Sequence, residues 1–422
     1  MSFTVISPFD NQPADPHDLS ILRELAKELA EIAALPIQSE RAELWRSLNS
    51  LSPKRAAILV EAQGGWDQLV PDSVLKCRDI GFRSWELVIR RRIWAFHNIP
   101  DDKPVTNNFD VWWWVQKSDY GVAEVQHRTA EKGSYSWDAP IKSIDDLSKL
   151  KPRTITVDHE MSKKSLEFAQ NIFGDILNVR FRGEPTFRCM LSRVLIHLRG
   201  LEQMMVDMYD NPELLHQTMT FLRDDMLNEW ETFEKEGILT LNNEPDQLLG
   251  TGGLACTDEL PADDFDGKVR LKDLVAWGES QETTCVGPEQ FNEFVLQYQI
   301  PLLKRFGLVN YGCCEPLDRK FDLLTENLPN LRWVAVSPWC NREIAAEKLG
   351  NRYVYVYKPN PSRICSPEPN FEAAEQELRE TLDIARGCCV SITMKDTQTF
   401  HNQPERITRW AEMARRIAEE YA

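Results

Sequence analysis

The amino-acid sequence predicts an α/β protein, a (β/α)8 barrel of the TIM type with an N-terminal helical extension. From about residue 150 onward, short β-type runs alternate with amphipathic helical runs, which predicts a parallel sheet whose crossover connections are helices. Each β-type run also stops on polar or charged residues. Reactive groups at the carboxyl ends of parallel strands are typical of such barrels, and about eight strands close one.

The first hundred residues predict auxiliary helices. Apolar residues three and four positions apart recur in 18–35, 40–51, 53–63 and 84–97, and Ser52-Pro53 is typical of a helix start. The turn-rich segment DDKP at 101–104 indicates a junction. We therefore divide the chain into a helical extension, residues 1–100, and an α/β barrel, residues 101–422.

Three consecutive tryptophans, Trp112, Trp113 and Trp114, follow this junction. A strand would place Trp113 on the opposite face from its neighbours, so at least one indole is expected to face a cavity or another subunit. The alternative is that the core and a domain contact share all three.

Six β-type runs follow in the second region. They span 154–157, 238–241, 308–312, 333–336, 353–357 and 390–394. The residues just past them are rich in ligands and acid/base groups: Asp158, His159, Glu160, Glu244, Cys313, Cys314, Glu315, Cys340, Lys358, Lys395 and Asp396. In a barrel these side chains converge on one mouth. A predicted loop at 276–282 adds Glu279 and Glu282.

The segment 308–317, LVNYGCCEPL, is the strongest candidate for chemistry, because a β-type run stops on two cysteines and a glutamate between two predicted helices, 291–306 and 317–328. The sequence leaves open which cysteine faces the mouth, since a one-residue shift of the strand end exchanges them. Disulfides within the pairs 313/314 and 388/389 are not expected, because neighbouring strand side chains point to opposite faces. Cys389 precedes its strand and belongs to the far face.

Composition and net charge indicate which partners and which cell compartment to expect. The formal net charge of −17 argues against a nucleic-acid or anionic-membrane partner. No apolar run approaches the roughly 20 residues of a membrane span, and the N-terminus resembles no secretory signal. The ten cysteines are then expected to be reduced thiols in a cytoplasmic protein.

Two kinds of chemistry fit the residues past the strands. Thiolates and carboxylates with an open position suit a catalytic zinc. Without a metal, Lys395 beside Asp396 could transfer protons, its pKa set by burial and by its neighbours. The structural alternatives are that Cys314 fills the core and that Lys395 and Asp396 form an ion pair that closes the barrel.

Five segments carry a family resemblance from about residue 85 to the C-terminus. They are RIWAFHNIPDDKPV at 92–105, GPEQFNEFVLQYQIP at 287–301, YGCCE at 311–315, VSPWCNREIAAEKLG at 336–350 and PERITRW at 404–410. In this order they resemble the superfamily of uroporphyrinogen decarboxylase and the methylcobamide:thiol methyltransferases. The resemblance implies an α/β barrel with its site at the strand ends. For the methyltransferases it implies a zinc that activates a thiol toward a methylated corrinoid.

The sequence departs from the family at the expected zinc ligands. The histidine of the family's His-x-Cys motif falls on Tyr311 or Gly312, and Lys395 and Asp396 stand where the second zinc cysteine would be. A metal would then have more oxygen ligands than in the family. The candidate ligands are Cys313, Cys314, Glu244 and Glu282, and the alternatives are Glu315 or Asp396. The arginine-rich motif of the decarboxylase branch is missing.

Three hypotheses follow. In the first, the chain is a corrinoid-linked methyltransferase in which Lys358, Lys395 and Asp396 are catalytic and His159, Glu315 and Cys340 contact the substrate. In the second, it is a metal-free decarboxylase or lyase for a small carboxylated substrate, with Lys358, Lys395 and Asp396 as the working groups. In the third, a catalytically degenerate barrel serves as a binding component. The candidate partners are a small-molecule substrate, a corrinoid protein and a second copy of the chain.

Overall fold

The computed structural model describes residues 15–128, 135–250 and 252–422. The strands are β1 (Ala57–Val60), β2 (Asn108–Trp112), β3 (Val115–Lys117), β4 (Val125–Arg128), β5 (Tyr135–Asp138), β6 (Ile155–Val157), β7 (Asn178–Arg182), β8 (Arg188–Cys189), β9 (Val275–Gly278), β10 (Leu308–Tyr311), β11 (Leu331–Val336), β12 (Val354–Tyr357) and β13 (Cys389–Met394). The α-helices are α1 (Pro16–Ala33), α2 (Pro36–Asn49), α3 (Trp66–Leu69), α4 (Ile80–Asn98), α5 (His159–Phe173), α6 (Leu191–Arg199), α7 (Leu201–Asp210), α8 (Pro212–Glu236), α9 (Pro288–Phe291), α10 (Gln297–Leu303), α11 (Phe321–Asn327), α12 (Arg342–Leu349), α13 (Ser362–Cys365), α14 (Phe371–Ile384) and α15 (Glu405–Glu420).

A seven-stranded parallel sheet forms the centre of the molecule, in the order β1-β13-β12-β11-β10-β9-β8. Strands β9 to β13 are neighbours both in the chain and in the sheet, and helices connect them. This is the repeated βαβ arrangement, so the predicted α/β class with a parallel sheet is confirmed. The other strands pair as β2 with β7 in parallel, and β3 with β6 and β4 with β5 in antiparallel fashion.

Both faces of the sheet are covered, which explains why its strands are nearly continuous apolar runs. On one face, Leu59 and Val356 pack in a cluster with Trp45 of α2 and residues of the segment 248–260. On the other, Ile58 and Tyr355 belong to the largest core, beneath the crossover helices. Successive strand residues thus alternate between the two clusters, which sets the direction in which the polar residues past each strand point.

The helix expected over 53–63 is wrong, because Ala57–Val60 forms strand β1 and pairs with β13. All four residues of β1 are buried, and a short buried strand cannot be told from a helix by apolar spacing alone. The boundary placed at residue 100 therefore separates β1 from its own sheet. The expected helices over 18–35, 40–51 and 84–97 are present as α1, α2 and α4.

Two further strand predictions and one loop prediction need correction. The run 154–157 does contain β6, but β6 pairs with β3 outside the main sheet. No strand forms at 238–241; instead, the side-chain amide of Asn242 bonds to the backbone N–H and C=O of Val275 in β9. The predicted loop at 276–282 begins with strand β9, whose four residues are too few to give a clear β signal.

A glycine ends β10 and turns the chain toward the candidate site. Gly312 has φ +103°, and a Cβ at this position would lie 2.8 Å from Leu317 Cδ1 and 2.9 Å from Ala335 Cβ. Its backbone N–H donates to Gly278 O at 2.8 Å, which ties the turn to β9. Only glycine combines this φ with such a close approach.

Replacing Gly312 with alanine is expected to lower the free energy of unfolding by about 2–4 kcal/mol, because steric crowding adds to the unfavourable φ. Gly237→Ala is the matched control, since Gly237 has φ +69° with nothing within 4 Å of its Cβ position. That variant should lose only about 1–2 kcal/mol. Urea unfolding of both measures the difference, and equal losses would refute the packing argument.

Within the described ranges, no helix has the length and apolar character that crossing a membrane requires.

Candidate functional site

Side chains that follow three strands of the sheet meet at its carboxyl edge. Lys395, directly after β13, donates from Nζ to Cys314 Sγ at 3.2 Å. Lys358, directly after β12, donates from Nζ to the carbonyl oxygen of Cys313 at 2.7 Å. Four residues singled out from the sequence thus lie together, and Gly312 is the turn that places the two cysteines beside the two lysines.

The surroundings of Cys314 lower the pKa of its thiol. Its Sγ lies 3.4 Å from Cys313 Sγ, and the hydrogen bond from Cys313, followed by the charge of Lys395, lowers the pKa of Cys314 to about 6 against the opposing effect of burial. The same hydrogen bond, together with burial, raises the pKa of Cys313. Cys314 is therefore the thiolate of the pair and Cys313 the thiol. Cys314 is half-buried and Cys313 buried, so Cys314 is also the accessible one.

The two lysines differ in electrostatic environment. Burial lowers the pKa of Lys358. Burial also acts to lower the pKa of Lys395, but the two cysteines and Asp396 outweigh it, and the net change is upward. Lys395 donates to the carboxylate of Asp396 as well as to Cys314. The result is a Cys314–Lys395–Asp396 group in which the ammonium bridges two anions.

The backbone of Asp396 is left-handed. Its φ of +58° lies in a region that aspartate enters more readily than most residues other than glycine. The backbone N–H donates to Gln63 Oε1 at 3.0 Å, and this bond holds the residue in place. Gln63 lies just past β1 and was not singled out from the sequence.

The three residues expected to contact the substrate form hydrogen bonds to groups other than Cys314 and Lys395. Glu315 is fully buried and accepts hydrogen bonds from the backbone N–H groups of Ser280 and Cys313, both at 2.9 Å. It therefore stabilises the loop that carries the two cysteines. Cys340 donates from Sγ to Asp318 Oδ1 at 2.8 Å. His159 is exposed and pairs with Glu236 at 2.9 Å.

The expected metal ligands do not converge. Glu244 is held by Arg180, and Glu282 accepts a hydrogen bond from Ser192 Oγ at 2.8 Å. The ammonium of Lys395 lies against Cys314 Sγ, where a metal ion would have to bind, so this donor set does not fit zinc. Within residues 15–128, 135–250 and 252–422, three metal-type donor atoms meet in the group Asp15, His17 and Asp18.

The Asp15–His17–Asp18 group stands at the N-terminus of α1. Asp15 accepts from the backbone N–H of His17, and Asp18 accepts from the backbone N–H groups of Arg78 and Asp79. These bonds cap α1 and fasten it to the start of α4. These hydrogen bonds are sufficient to explain why the side chains of Asp15, His17 and Asp18 lie close together.

Glu279, which the sequence adds as a candidate from the predicted loop 276–282, is a second acidic group near the two cysteines. It follows β9 directly and is fully buried, and its Oε1 has no hydrogen-bond partner among the described residues. Burial, reinforced by the charges of Glu282 and Glu315, raises the pKa of Glu279 to about 9. Its position at a strand end was not foreseen, because residues 276–278 were expected to form a loop and instead belong to β9. Its side chain is a neutral carboxylic acid near neutral pH.

Replacing Glu279 with glutamine is expected to stabilise the protein above pH 5. The unfolded chain releases the proton of this carboxyl near its ordinary pKa of 4.5, whereas the folded chain retains it up to about 9. Stability therefore falls as pH rises between these values, by an amount of the order of several kcal/mol. Urea unfolding at pH 5 and pH 8.5 should show a smaller decline for Glu279→Gln than for the wild type. Parallel pH dependences would mean that Glu279 is ionised in the folded protein.

A cavity of about 1320 Å³ lies beside this edge of the sheet. It is lined by Val60 and Ala62 at the end of β1, by Arg188 and Met190 at the end of β8, and by Trp112 of β2. The two edge strands of the sheet thus face the same space. The expectation that one indole of the tryptophan run faces a cavity is confirmed for Trp112.

The cavity borders β1, the strand next to β13, and its lining includes none of Cys313, Cys314, Lys358 and Lys395. Val60 is paired with Met394, so Glu61, which lines the cavity, lies level with Lys395 on the neighbouring strand. The lining combines aromatic side chains with guanidinium and carboxylate groups, as expected of a small-molecule site.

Comparison with protein-family models and with curated proteins finds no match to this chain.

Proposed function

We propose that this chain is a methyltransferase built on a closed TIM-type α/β barrel of the uroporphyrinogen decarboxylase-like superfamily, with its active site at the carboxyl ends of the strands. The closed barrel is supported by the two edge strands, β1 and β8, which line one cavity together with Asn108, Phe109 and Trp112 of β2. The parallel pair β2 and β7 would close the gap between the two edge strands, which gives a ring of nine strands with the two-residue β8 counted. The family resemblance supports the same architecture.

The observation that carries the proposed activity is the partly buried contact between Cys314 and Lys395 at 3.2 Å. Cys314 acts as the general base: its thiolate takes the proton of a thiol or other small acceptor. A base with a pKa of about 6 is ionised at neutral pH, as this role requires. The ammonium groups of Lys395 and Lys358 stabilise the negative charge that develops on the acceptor.

The methyl group then moves from donor to acceptor in one displacement. The bond between acceptor and methyl carbon forms while the bond between donor and methyl carbon breaks, and the electron pair of the broken bond stays on the donor. The expected donor is a methylated corrinoid presented by a partner protein as a co-substrate. The positive charge that zinc supplies in the methyltransferases that the sequence resembles is supplied here by the two lysines.

A reducing, cytoplasmic setting is part of this proposal. All ten cysteines lie within the described ranges and are free thiols. Thiols persist where glutathione and thioredoxin keep them reduced. A thiolate base requires the same conditions.

Methyl transfer is tested with the full chain, methylcobalamin and a series of small thiols, before and after dialysis against a chelator. We expect loss of the methylcobalamin absorbance and formation of the methyl thioether, with rates unchanged by the chelator. The proposal fails if neither free nor protein-bound methylcorrinoid transfers its methyl group. A rate that disappears with the chelator and returns with zinc would reject the lysine-based mechanism.

A metal-free decarboxylase or lyase is the second candidate, and the environment of Lys358 favours it. Burial lowers the pKa of this amine, and Lys395 lies close by, so the pair could bind a carboxylate and exchange protons with it. Carboxylated substrates that are consumed by wild type and by Cys314→Ala, but not by Lys358→Met, would establish this activity. Loss of turnover in Cys314→Ala would assign the chemistry to the thiolate instead.

A further inference from the structure

We propose that Cys313 and Cys314 form a vicinal dithiol that hydroperoxides oxidise reversibly to a disulfide. The two Sγ atoms lie 3.4 Å apart and are already in contact. This corrects the expectation that neighbouring cysteines point to opposite faces. Both residues lie beyond β10, which ends at Tyr311, and the φ of +103° at Gly312 turns the chain before them. The alternation rule for strands therefore does not apply to this pair.

The second pair, Cys388 and Cys389, provides an internal comparison. Cys389 begins β13 and packs in the cluster that contains Trp45, whereas Cys388 packs against the large core on the other face. Their Sγ atoms donate to different carbonyl groups, those of Ala346 and Asn351. Here the prediction of opposite faces is confirmed. One pair is thus arranged to bridge and the other is not.

The position of Lys395 makes Cys314 the thiol that reacts first. Its ammonium donates to Cys314 Sγ at 3.2 Å, and a nearby cation favours the nucleophilic thiolate. Cys314 is also partly exposed, whereas Cys313 is buried. A hydroperoxide can therefore reach Cys314, and the thiol that resolves the product is already in contact with it.

Two steps form the disulfide. The Cys314 thiolate attacks the terminal oxygen of the hydroperoxide, the O–O bond breaks, and the alkoxide or hydroxide that leaves takes a proton from water. The sulfur is oxidised by two electrons to the sulfenic acid, and the peroxide is reduced. The Cys313 sulfur then attacks Cys314 Sγ and displaces hydroxide, which leaves as water with the proton of the Cys313 thiol. A dithiol reductant reverses the result by thiol–disulfide exchange.

The bond is expected to be easily reduced because the two residues are adjacent. Their Cα atoms are separated by one peptide bond, about 3.8 Å when trans, which is shorter than the roughly 4.4–6.8 Å of ordinary disulfides. Strained disulfides are the labile ones. This site is a modification site whatever reaction the protein catalyses, because its chemistry depends on the two thiols and Lys395 alone.

Peptide mass spectrometry of the full chain tests the proposal independently of any activity assay. Trypsin releases the peptide 306–319, which contains Cys313 and Cys314 and no other cysteine, and the peptide 387–395, which contains Cys388 and Cys389. After hydrogen peroxide and alkylation, we expect 306–319 to lose two hydrogens and to take no label, and dithiothreitol to restore both. The control peptide 387–395 should label fully throughout.

Two variants test the order of the steps. In Cys313→Ala the sulfenic acid has no resolving thiol, so sulfinic and sulfonic acids should accumulate on Cys314. In Lys395→Met the first step should slow by about tenfold or more. Circular dichroism checks that both variants are folded. A peptide 306–319 that stays reduced while 387–395 oxidises, or a bond from Cys314 to a third cysteine, would overturn the proposal.

Discussion

Replacing Cys314 with alanine is expected to lower kcat/KM for methyl transfer by a factor of about 10² to 10⁴, because the general base is removed. The lysines and the cavity remain, so binding of the acceptor should change much less than turnover. The measurement is the rate of methylcobalamin consumption as a function of acceptor concentration at neutral pH.

Cys313→Ala is the matched control for this prediction. Cys313 is the buried thiol of the pair, and its contact with Cys314 helps to lower the pKa of the base without supplying the base itself. Its removal should cost activity near neutral pH and leave activity at alkaline pH close to that of the wild type. Full activity in Cys314→Ala, or equal losses in both variants at every pH, would remove Cys314 from the mechanism.

Replacing Lys395 with methionine is expected to shift the acidic limb of the pH profile of kcat/KM toward higher pH. Loss of the ammonium group disfavours the thiolate, so the pKa of Cys314 rises from about 6 part of the way toward its ordinary value of 9.0, because the hydrogen bond with Cys313 remains. About 90 % of Cys314 is ionised at pH 7 in the wild type, and this fraction is lower in the variant. Activity at pH 7 should fall accordingly and recover partly above pH 9.

Lys358→Met serves as the comparison. Lys358 donates to the carbonyl oxygen of Cys313, and its charge has the smaller influence on the pKa of Cys314. Its profile should therefore move less than that of Lys395→Met. A profile that stays at the wild-type pH in Lys395→Met would show that the ammonium group does not stabilise the thiolate.

The predictable part of the fold consists of segments with an unambiguous local pattern. Strands β10 to β13 are apolar runs bounded by turns and helices, and each was expected close to its observed place. Strand β1 was missed because its four apolar residues also fit a helix. Residues 238–241 have the composition of a strand, yet no strand forms there. Instead, the side-chain amide of Asn242 makes the hydrogen bonds to Val275 of β9 that a neighbouring strand would otherwise make. This contact depends on the tertiary structure and leaves no signal in the local sequence.

The sequence predicts which residue types lie at the site, but not which side chains contact one another there. Placing Lys395 and the two cysteines at strand ends requires only the strand positions. Glu244 also follows a β-type run, but Arg180, far away in sequence, holds it in an ion pair. Which cysteine faces Lys395 depends on the turn at Gly312, where a φ of +103° is combined with a close approach to Leu317 and Ala335. Such contacts arise from the whole fold.

The most direct test of the account is the pH dependence of the alkylation rate of Cys314, followed on the peptide 306–319 with iodoacetamide in the wild type. Cys313→Ser identifies which thiol carries the label. A stabilised thiolate predicts a midpoint near 6 for Cys314, well below its ordinary value of 9.0. A midpoint near 9 would contradict the thiolate–ammonium pair, and with it the proposed base of the methyl transfer.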